Sequence, residues 1–296
     1  MKQSKIAIIG AGSVGTSTAF ALMLKNIGSE IMLVDVDSAR CHGEILDLSD
    51  AQSFCTNTKI YAANQQQAAQ ADIIIIAAGI RQKPEQTRQE LLSKNKEIIG
   101  SIITQLKPIK SSAIIIMVTN PVDILTLHAL QLSGLPAHQV IGSGTLLDSI
   151  RLRELIATKL HKALSSIDIN ILGEHGDTQF PAWSSAHIDG APLANFGISQ
   201  KELDSFAQQA KDKAYEIIKC KDATFYGIAT CVTQLCQAII QDQKLIAPVS
   251  HFQKQFGICL SLPAVLGRNG IEQTLPLSLN NQEQILLEKS AQALNL

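Results

Sequence analysis

The 296-residue chain carries 25 Lys and Arg against 26 Asp and Glu, a formal net charge of −1, with no cationic block of the kind that phosphate backbones or anionic membranes require. Nucleic acid and membrane are therefore disfavoured as partners, and a small molecule is favoured. Hydrophobic residues make up 46% but aromatics only 4%, which points to aliphatic layers of helix on sheet. At this length, two domains sharing a cleft are expected rather than one large core.

Near the N-terminus only Ile6 to Ile9 are continuously apolar before a glycine, too short for a signal-peptide core. Cys41, Cys55, Cys220, Cys231, Cys236 and Cys259 form no CxxC pair, a usage that suits reduced thiols and a cytoplasmic protein.

Strands are expected over 5–9, 30–35, 59–62, 72–77 and 113–119, separated by helical patterns, the signature of βαβ units. The runs Ile73-Ile74-Ile75-Ile76 and Ile114-Ile115-Ile116 do not alternate in polarity, as parallel strands covered on both faces should not. After Gly142 the pattern shifts to longer helices over 145–161, 199–219, 223–241 and 281–294, with strands over 167–172, 247–251 and 257–261. The expected fold class is α/β: a doubly wound parallel sheet of the Rossmann type over 1–142, joined to a second, α+β substrate domain over 143–296.

Gly10-Ala11-Gly12-Ser13-Val14-Gly15 follows the first expected strand and opens a helix. In that context Gly10 permits the tight turn, Gly12 lets backbone approach a pyrophosphate at the helix N-terminus, and Gly15 allows close packing of helix on strand. Asp35, twenty residues beyond Gly15 at the end of the second strand, places a carboxylate where ribose hydroxyls are recognised and a 2′-phosphate is repelled. NAD is thus expected in preference to NADP.

Gly173-Glu174-His175-Gly176-Asp177 places a histidine in a glycine-flanked turn after an expected strand. Histidine titrates near neutrality and can give a proton to a ketone oxygen as hydride reaches carbon. A lone histidine is more often structural, but Asp148 and Arg151 stand at i and i+3 on the helix expected from Thr145, so both can project from one face. An intrahelical ion pair is one reading of that spacing. In the other, Arg151 grips a substrate carboxylate through a two-pronged guanidinium contact, and Asp148 fixes the tautomer and charged form of His175.

The polar stretch 78–88 leaves a buried strand at the carboxyl edge, where doubly wound folds bind ligands. It reads either as a connector or as a lid that delivers Arg88 to polarise a carbonyl when water is excluded. Another expected strand ends at the same edge in Val118-Thr119-Asn120-Pro121, where Asn120 either meets substrate or nicotinamide ribose or caps the turn ahead of Pro121.

Taken together these stretches, with Ser143 to Arg151 and Ala223-Thr224, resemble the L-lactate/L-malate dehydrogenase family over essentially the whole chain. The resemblance implies His175 as proton donor and acceptor, Asp148 as its partner, Arg151 as carboxylate anchor and Arg88 as carbonyl polariser. It further implies Asn120 and Thr224 at the substrate, Val14 in the cofactor loop, Ser143 near the nicotinamide carboxamide and Ile228 against the nicotinamide ring. L-stereochemistry and a homodimer or homotetramer are likewise implied by the family.

Gln82 in the lid is similar to the lactate type, since malate enzymes place an arginine there, and Asp123 also looks like the lactate form. A neutral amide suits the methyl end of pyruvate, whereas oxaloacetate needs a desolvated cation. Because Arg81 and Lys83 flank Gln82, malate activity stays open, as does a bulkier 2-keto acid. A non-catalytic NAD-binding regulator would keep Gly10 to Gly15 and Asp35 but has no need of His175, Asp148, Arg151 and Arg88 together. Many bacterial relatives are activated by fructose 1,6-bisphosphate through an arginine matching Arg153 and a histidine at the position held here by Asp168. Without that histidine, Arg153 reads as a solvated helix residue and the enzyme as non-allosteric.

Overall fold

The structure, a computed structural model, describes residues 4–55, 58–80 and 88–295, with the side chain of Arg88 outside that description. In chain order the first half runs β1 (Lys5–Ile9), α1 (Ser13–Leu24), β2 (Glu30–Val34), α2 (Ser38–Gln52), β3 (Lys59–Ala62), α3 (Gln65–Ala68), β4 (Ile73–Ile76), α4 (Arg88–Leu106), β5 (Ile114–Met117), α5 (Val122–Ser133) and β6 (Val140–Gly142). The second half contributes α6 (Leu146–Leu160), β7 (Ile167–Asp168), β8 (Ile171–Leu172), β9 (Phe180–Pro181), β10 (His187–Ile188) and β11 (Ala191–Pro192). It ends in α7 (Gln200–Lys221), α8 (Tyr226–Gln241), β12 (Leu245–Gln253), β13 (Ile258–Gly267), β14 (Gly270–Thr274) and α9 (Asn281–Leu294).

The first six strands pair in parallel in the order β3-β2-β1-β4-β5-β6. Their unbroken aliphatic runs have the burial that such a sheet demands, because alternate residues serve opposite layers. Ile6, Ile8, Ile73 and Ile75 pack with α1 and α8 on one face. Ala7, Ile9, Ile74 and Ile76 pack with α4 and α5 on the other. Each element is therefore fixed by both covering layers, and the doubly wound reading of the sequence is what the chain adopts.

The C-terminal hairpins join the sheet of the first half. β12, β13 and β14 continue the same sheet antiparallel beyond β6, through Ser250 opposite Gly142, giving nine strands in all among the described residues. The stretch 167–172, expected as one strand, divides into β7, which pairs with β10, and β8, which pairs with β9. The helix expected over 223–241 begins only at Tyr226, because Asp222 closes α7 in the left-handed region and Phe225 lies at φ −147° and ψ −34°, outside helical geometry.

A second core lies under α6 and α7, where Leu152, Ile156, Ile167, Ile188 and Leu203 meet. Two helices of this half start on reciprocal caps: Ser199 with Glu202 for α7, and Asn280 with Glu283 for α9, each satisfying two first-turn donors. Glu283 also accepts the backbone N–H of Ser184 at 2.9 Å, so the start of α9 is tied to the segment following β9. No helix among the described residues is long and apolar enough to cross a membrane.

Candidate active site

Parallel pairing sends the carboxyl ends of β1, β4, β5 and β6 to one edge, and the loops leaving them build the site. Gly10 follows β1 at φ +110°, where a Cβ would lie 2.7 Å from the backbone N of Ala78. A Cβ on Gly15 would lie 1.9 Å from the carbonyl O of Gly10, so the turn closes only with glycine at both places.

Gly12 differs, because a Cβ there would meet nothing within 4 Å. The space beside it is open, and Gly12 stands at the N-cap of α1 with no side chain to satisfy the first-turn amides. Open space against the first-turn N–H groups at the positive end of a helix is what a pyrophosphate requires. Val14, half-buried, follows in the first turn. Asp35 leaves the end of β2, its Oδ2 accepting the N–H of Ala11 at 2.6 Å and its Oδ1 that of Asp37 at 2.9 Å. Both carboxylate oxygens are oriented by backbone and keep lone pairs for ribose hydroxyls. The residues present thus fit a dinucleotide.

Three further residues of this edge arise from β5, β6 and α8. Asn120 is exposed after β5, its carbonyl accepting from Asn95 Nδ2 at 2.8 Å. Ser143 is buried after β6, its N–H donating to the Met117 carbonyl at 2.9 Å. Ile228, in the first turn of α8, packs half-buried against the aliphatic cluster on the α1 face of the sheet.

The second constellation is a chain of three side chains. Asp148 lies in the first turn of α6, 3% exposed, and divides its oxygens between two partners. Oδ1 receives Arg151 Nη1 at 3.3 Å, and Oδ2 meets His175 Nδ1 at 2.7 Å. The intrahelical ion pair is therefore present, and Asp148 meets His175 as well. Arg151 is 5% exposed, and its contact to Asp148 engages one of its guanidinium nitrogens. With Nδ1 engaged, the free edge of the His175 ring is Nε2, and the side chain keeps 29% of its exposure.

Electrostatics follow from that packing. Burial works against an ionised Asp148, but His175 and Arg151 overcome it and hold the carboxyl below its ordinary range. Burial also works against a charged His175. The charge and hydrogen bond of Asp148, with Asp123 adding, outweigh it and push the imidazole up to about 9.

The turn that carries His175 is gripped from several elements. The Gly173 N–H donates to the Ser261 carbonyl of β13 at 2.9 Å, and the Glu174 N–H to Ser290 Oγ of α9 at 2.6 Å. The His175 N–H donates to Asp123 Oδ2 of α5 at 2.7 Å. Thr145, at the N-cap of α6, donates from Oγ1 to the Ile171 carbonyl at 2.5 Å, tying the Asp148 helix to the strand that leads into the turn.

Ser290 and Asn95 were not singled out from the sequence. Asn95 is 1% exposed and bridges two loops of the site, accepting the Ile80 N–H at 2.9 Å and donating to the Asn120 carbonyl. Its signal was available, since it interrupts the buried stripe Leu92, Ile99, Ile103 and Leu106 of α4 with a polar side chain.

Thr224 is half-buried in the connector between α7 and α8, and no hydrogen bond among the described residues links Thr224, Asn120 or Ser143 to His175. Gln82 lies outside the described residues, as does the Arg88 side chain. Arg153 corrects its reading as a solvated residue. It is a strut from α6, donating from Nε to the Ile169 carbonyl at 2.8 Å and from Nη2 to Asn170 Oδ1 at 2.7 Å.

Comparison with known proteins matches residues 4–142 to the model of the lactate/malate dehydrogenase NAD binding domain and residues 145–295 to that of the lactate/malate dehydrogenase alpha/beta C-terminal domain. L-lactate dehydrogenase A of Rhizopus oryzae is 44% identical over 98% of this chain and 91% of its own length. L-lactate dehydrogenase of Lacticaseibacillus casei is 40% identical over 98% of this chain and 92% of its own. Among solved structures, a lactate dehydrogenase from a Medee basin deep-sea metagenome library superposes with a TM-score of 0.95 at 35% identity, covering 100% of this chain and 98% of that one.

Proposed function

Since this chain belongs to the lactate/malate dehydrogenase family, we propose that it interconverts pyruvate and L-lactate by hydride transfer with NAD. The observation that carries this reading is the chain Arg151–Asp148–His175 at the carboxyl edge of the sheet, with Arg151 and Asp148 buried. It combines a carboxylate anchor and a proton relay in one place, which a binding module would not need.

NAD, when bound along Gly10, Gly12, Val14, Gly15 and Asp35 and beside Asn120, Ser143 and Ile228, supplies or accepts the hydride. The chain's own residues do the rest. Arg151 holds the substrate carboxylate through guanidinium donors not used on Asp148, orienting the C2 carbonyl. His175 Nε2 gives its proton to the carbonyl oxygen during reduction and takes it from the lactate hydroxyl during oxidation. Asp148 stays ionised through the cycle, fixing the proton on Nδ1 and stabilising the imidazolium. The reading includes Arg88 as carbonyl polariser, Thr224 at the substrate and Gln82 as the neutral lid residue that suits a methyl group. It also includes the division of domains at 142/143, a homodimeric or homotetrameric state, and cytoplasmic work at the fermentative end of glycolysis.

The test is NADH oxidation with pyruvate, oxaloacetate and 2-ketoisocaproate side by side. The expected order places pyruvate first in kcat/KM, and His175→Asn is expected to depress kcat by roughly two orders of magnitude or more while NADH binding survives. Absence of pyruvate turnover at micromolar enzyme, or preference for oxaloacetate, would overturn the reading.

A further inference from the structure

His175 is held by two carboxylates. Asp148 meets its ring, and Asp123 meets its backbone: Oδ2 of Asp123 accepts the His175 N–H at 2.7 Å. Asp123 lies in the first turn of α5 and is 2% exposed. Its other oxygen, Oδ1, and the hydroxyl of Ser250 on β12 share the same buried space, and neither has a well-formed hydrogen bond among the described residues.

To hold one backbone N–H, a neutral amide or hydroxyl oxygen is sufficient. A buried carboxylate does so at a desolvation cost that a neutral acceptor avoids. A charge placed where an uncharged oxygen would serve indicates that the charge itself has a use, and the cation nearest to hand is the imidazolium of His175.

We propose that Asp123 is a positioning residue of the proton relay, fixing the backbone from which the His175 ring hangs and supplying a second negative charge to its protonated form. The groups facing this pair bear the idea out in sign. From α6 come Asp148, which favours the imidazolium, and Arg151, which opposes it. Glu174 in the turn adds negative charge beside Asp123. Cys259 on β13 is buried, and its thiol is pushed far up and so stays neutral. Burial raises Asp123 to about 6, against the pull of Ser250 and His175, so the carboxylate is largely ionised at neutral pH, where His175 is protonated. The kinetic half of this inference rests on the dehydrogenase reading, and the electrostatic half does not.

The test separates the two contributions. Asp123→Asn keeps an oxygen for the His175 N–H and removes the charge, whereas Asp123→Ala removes both. The imidazole of His175 is titrated by NMR in full-length, histidine-labelled protein, its resonance assigned by its loss in His175→Asn. In Asp123→Asn the midpoint is expected to fall by about half a pH unit or more, and the alkaline decline of pyruvate kcat/KM to move with it. Asp123→Ala is expected to lose about tenfold or more in kcat with NADH affinity retained, and Asp123→Asn to recover most of that loss. An unchanged His175 midpoint in Asp123→Asn would refute the electrostatic role, and wild-type kcat in Asp123→Ala would refute the positioning role. If Asp123→Ala does not fold, the NMR midpoint of Asp123→Asn still decides. If the wild-type chain fails to reduce pyruvate, the functional reading falls while the titration continues to judge Asp123.

Discussion

Nδ1 of His175 lies 2.7 Å from Oδ2 of Asp148, a carboxylate only 3% exposed. Burial disfavours the imidazolium, yet this partner outweighs burial and raises His175 from 6.5 to about 9. Pyruvate reduction consumes the proton, so its kcat/KM is expected to stay flat through neutrality and to fall about tenfold per pH unit above the midpoint. Lactate oxidation needs the neutral ring and is expected to climb toward that midpoint. The same shift contributes stability that is fully present below pH 6.5 and lost as pH rises through about 9. Rate profiles in both directions check the assignment. In Asp148→Asn the pyruvate profile is expected to break at lower pH, and a break that stays in place would show that the Asp148 charge does not govern the relay.

Arg151 spends one contact on Asp148 at 3.3 Å and is otherwise buried beside the relay. Arg151→Lys keeps the positive charge but loses the planar fork that binds a carboxylate through two parallel bonds. A loss of about two orders of magnitude in kcat/KM for pyruvate is expected, with NADH affinity preserved. Unaltered pyruvate kinetics in this variant would place the carboxylate anchor elsewhere.

These two predictions concern residues that were legible in the sequence, because their signals are local. The i, i+3 spacing of Asp148 and Arg151 fixes a shared helix face, and glycines flanking His175 mark a turn. The parallel strands were legible for a similar reason, their unalternating isoleucines having no stable place except between two layers. What remained hidden depends on pairing across long sequence separation. Strands expected to stop at His251 and Ser261 run on to Gln253 and Gly267, with Pro248 opposite Pro263 in the ladder. Pro263, just past the expected end at Ser261, weakens the strand signal because it donates no hydrogen bond, and only the neighbouring strands show that the ladder continues. Asp123 reads locally as an acid in a first helical turn, a common electrostatic preference. That it lies beneath His175, 52 residues away, is set by how α5 and the His175 turn pack together.

Asn95 provides a test of the scaffold. Asn95→Leu completes the apolar stripe of α4 but strands the Ile80 N–H and the Asn120 carbonyl, which the amide now joins. Losing these two hydrogen bonds costs on the order of 1 kcal/mol each, and more where the stranded backbone group stays out of water. A lower Tm by several degrees is expected, together with a raised KM for pyruvate as the Asn120 segment shifts. Thermal unfolding and steady-state kinetics measure both, and a variant as stable as wild type would show that the bridge carries little.

The last prediction concerns Arg153, which in effector-activated relatives of this family would help to hold a sugar bisphosphate. Here its guanidinium is committed to the Ile169 carbonyl at 2.8 Å and to Asn170 Oδ1 at 2.7 Å, and lies 3.9 Å from the Asp168 carboxylate. To meet a phosphate it would have to abandon two good hydrogen bonds that fasten α6 to the chain between β7 and β8. Asp168, whose side chain is 74% exposed, presents negative charge where a phosphate would need a donor. Both terms oppose binding. Hyperbolic pyruvate saturation is expected, unaltered by millimolar fructose 1,6-bisphosphate near neutral pH. Asp168→His should not create activation by itself while Arg153 keeps its two partners. Pyruvate titrations with and without the sugar bisphosphate measure this, and a severalfold fall in half-saturation for the unmodified chain would mean that Arg153 leaves its strut to meet the effector.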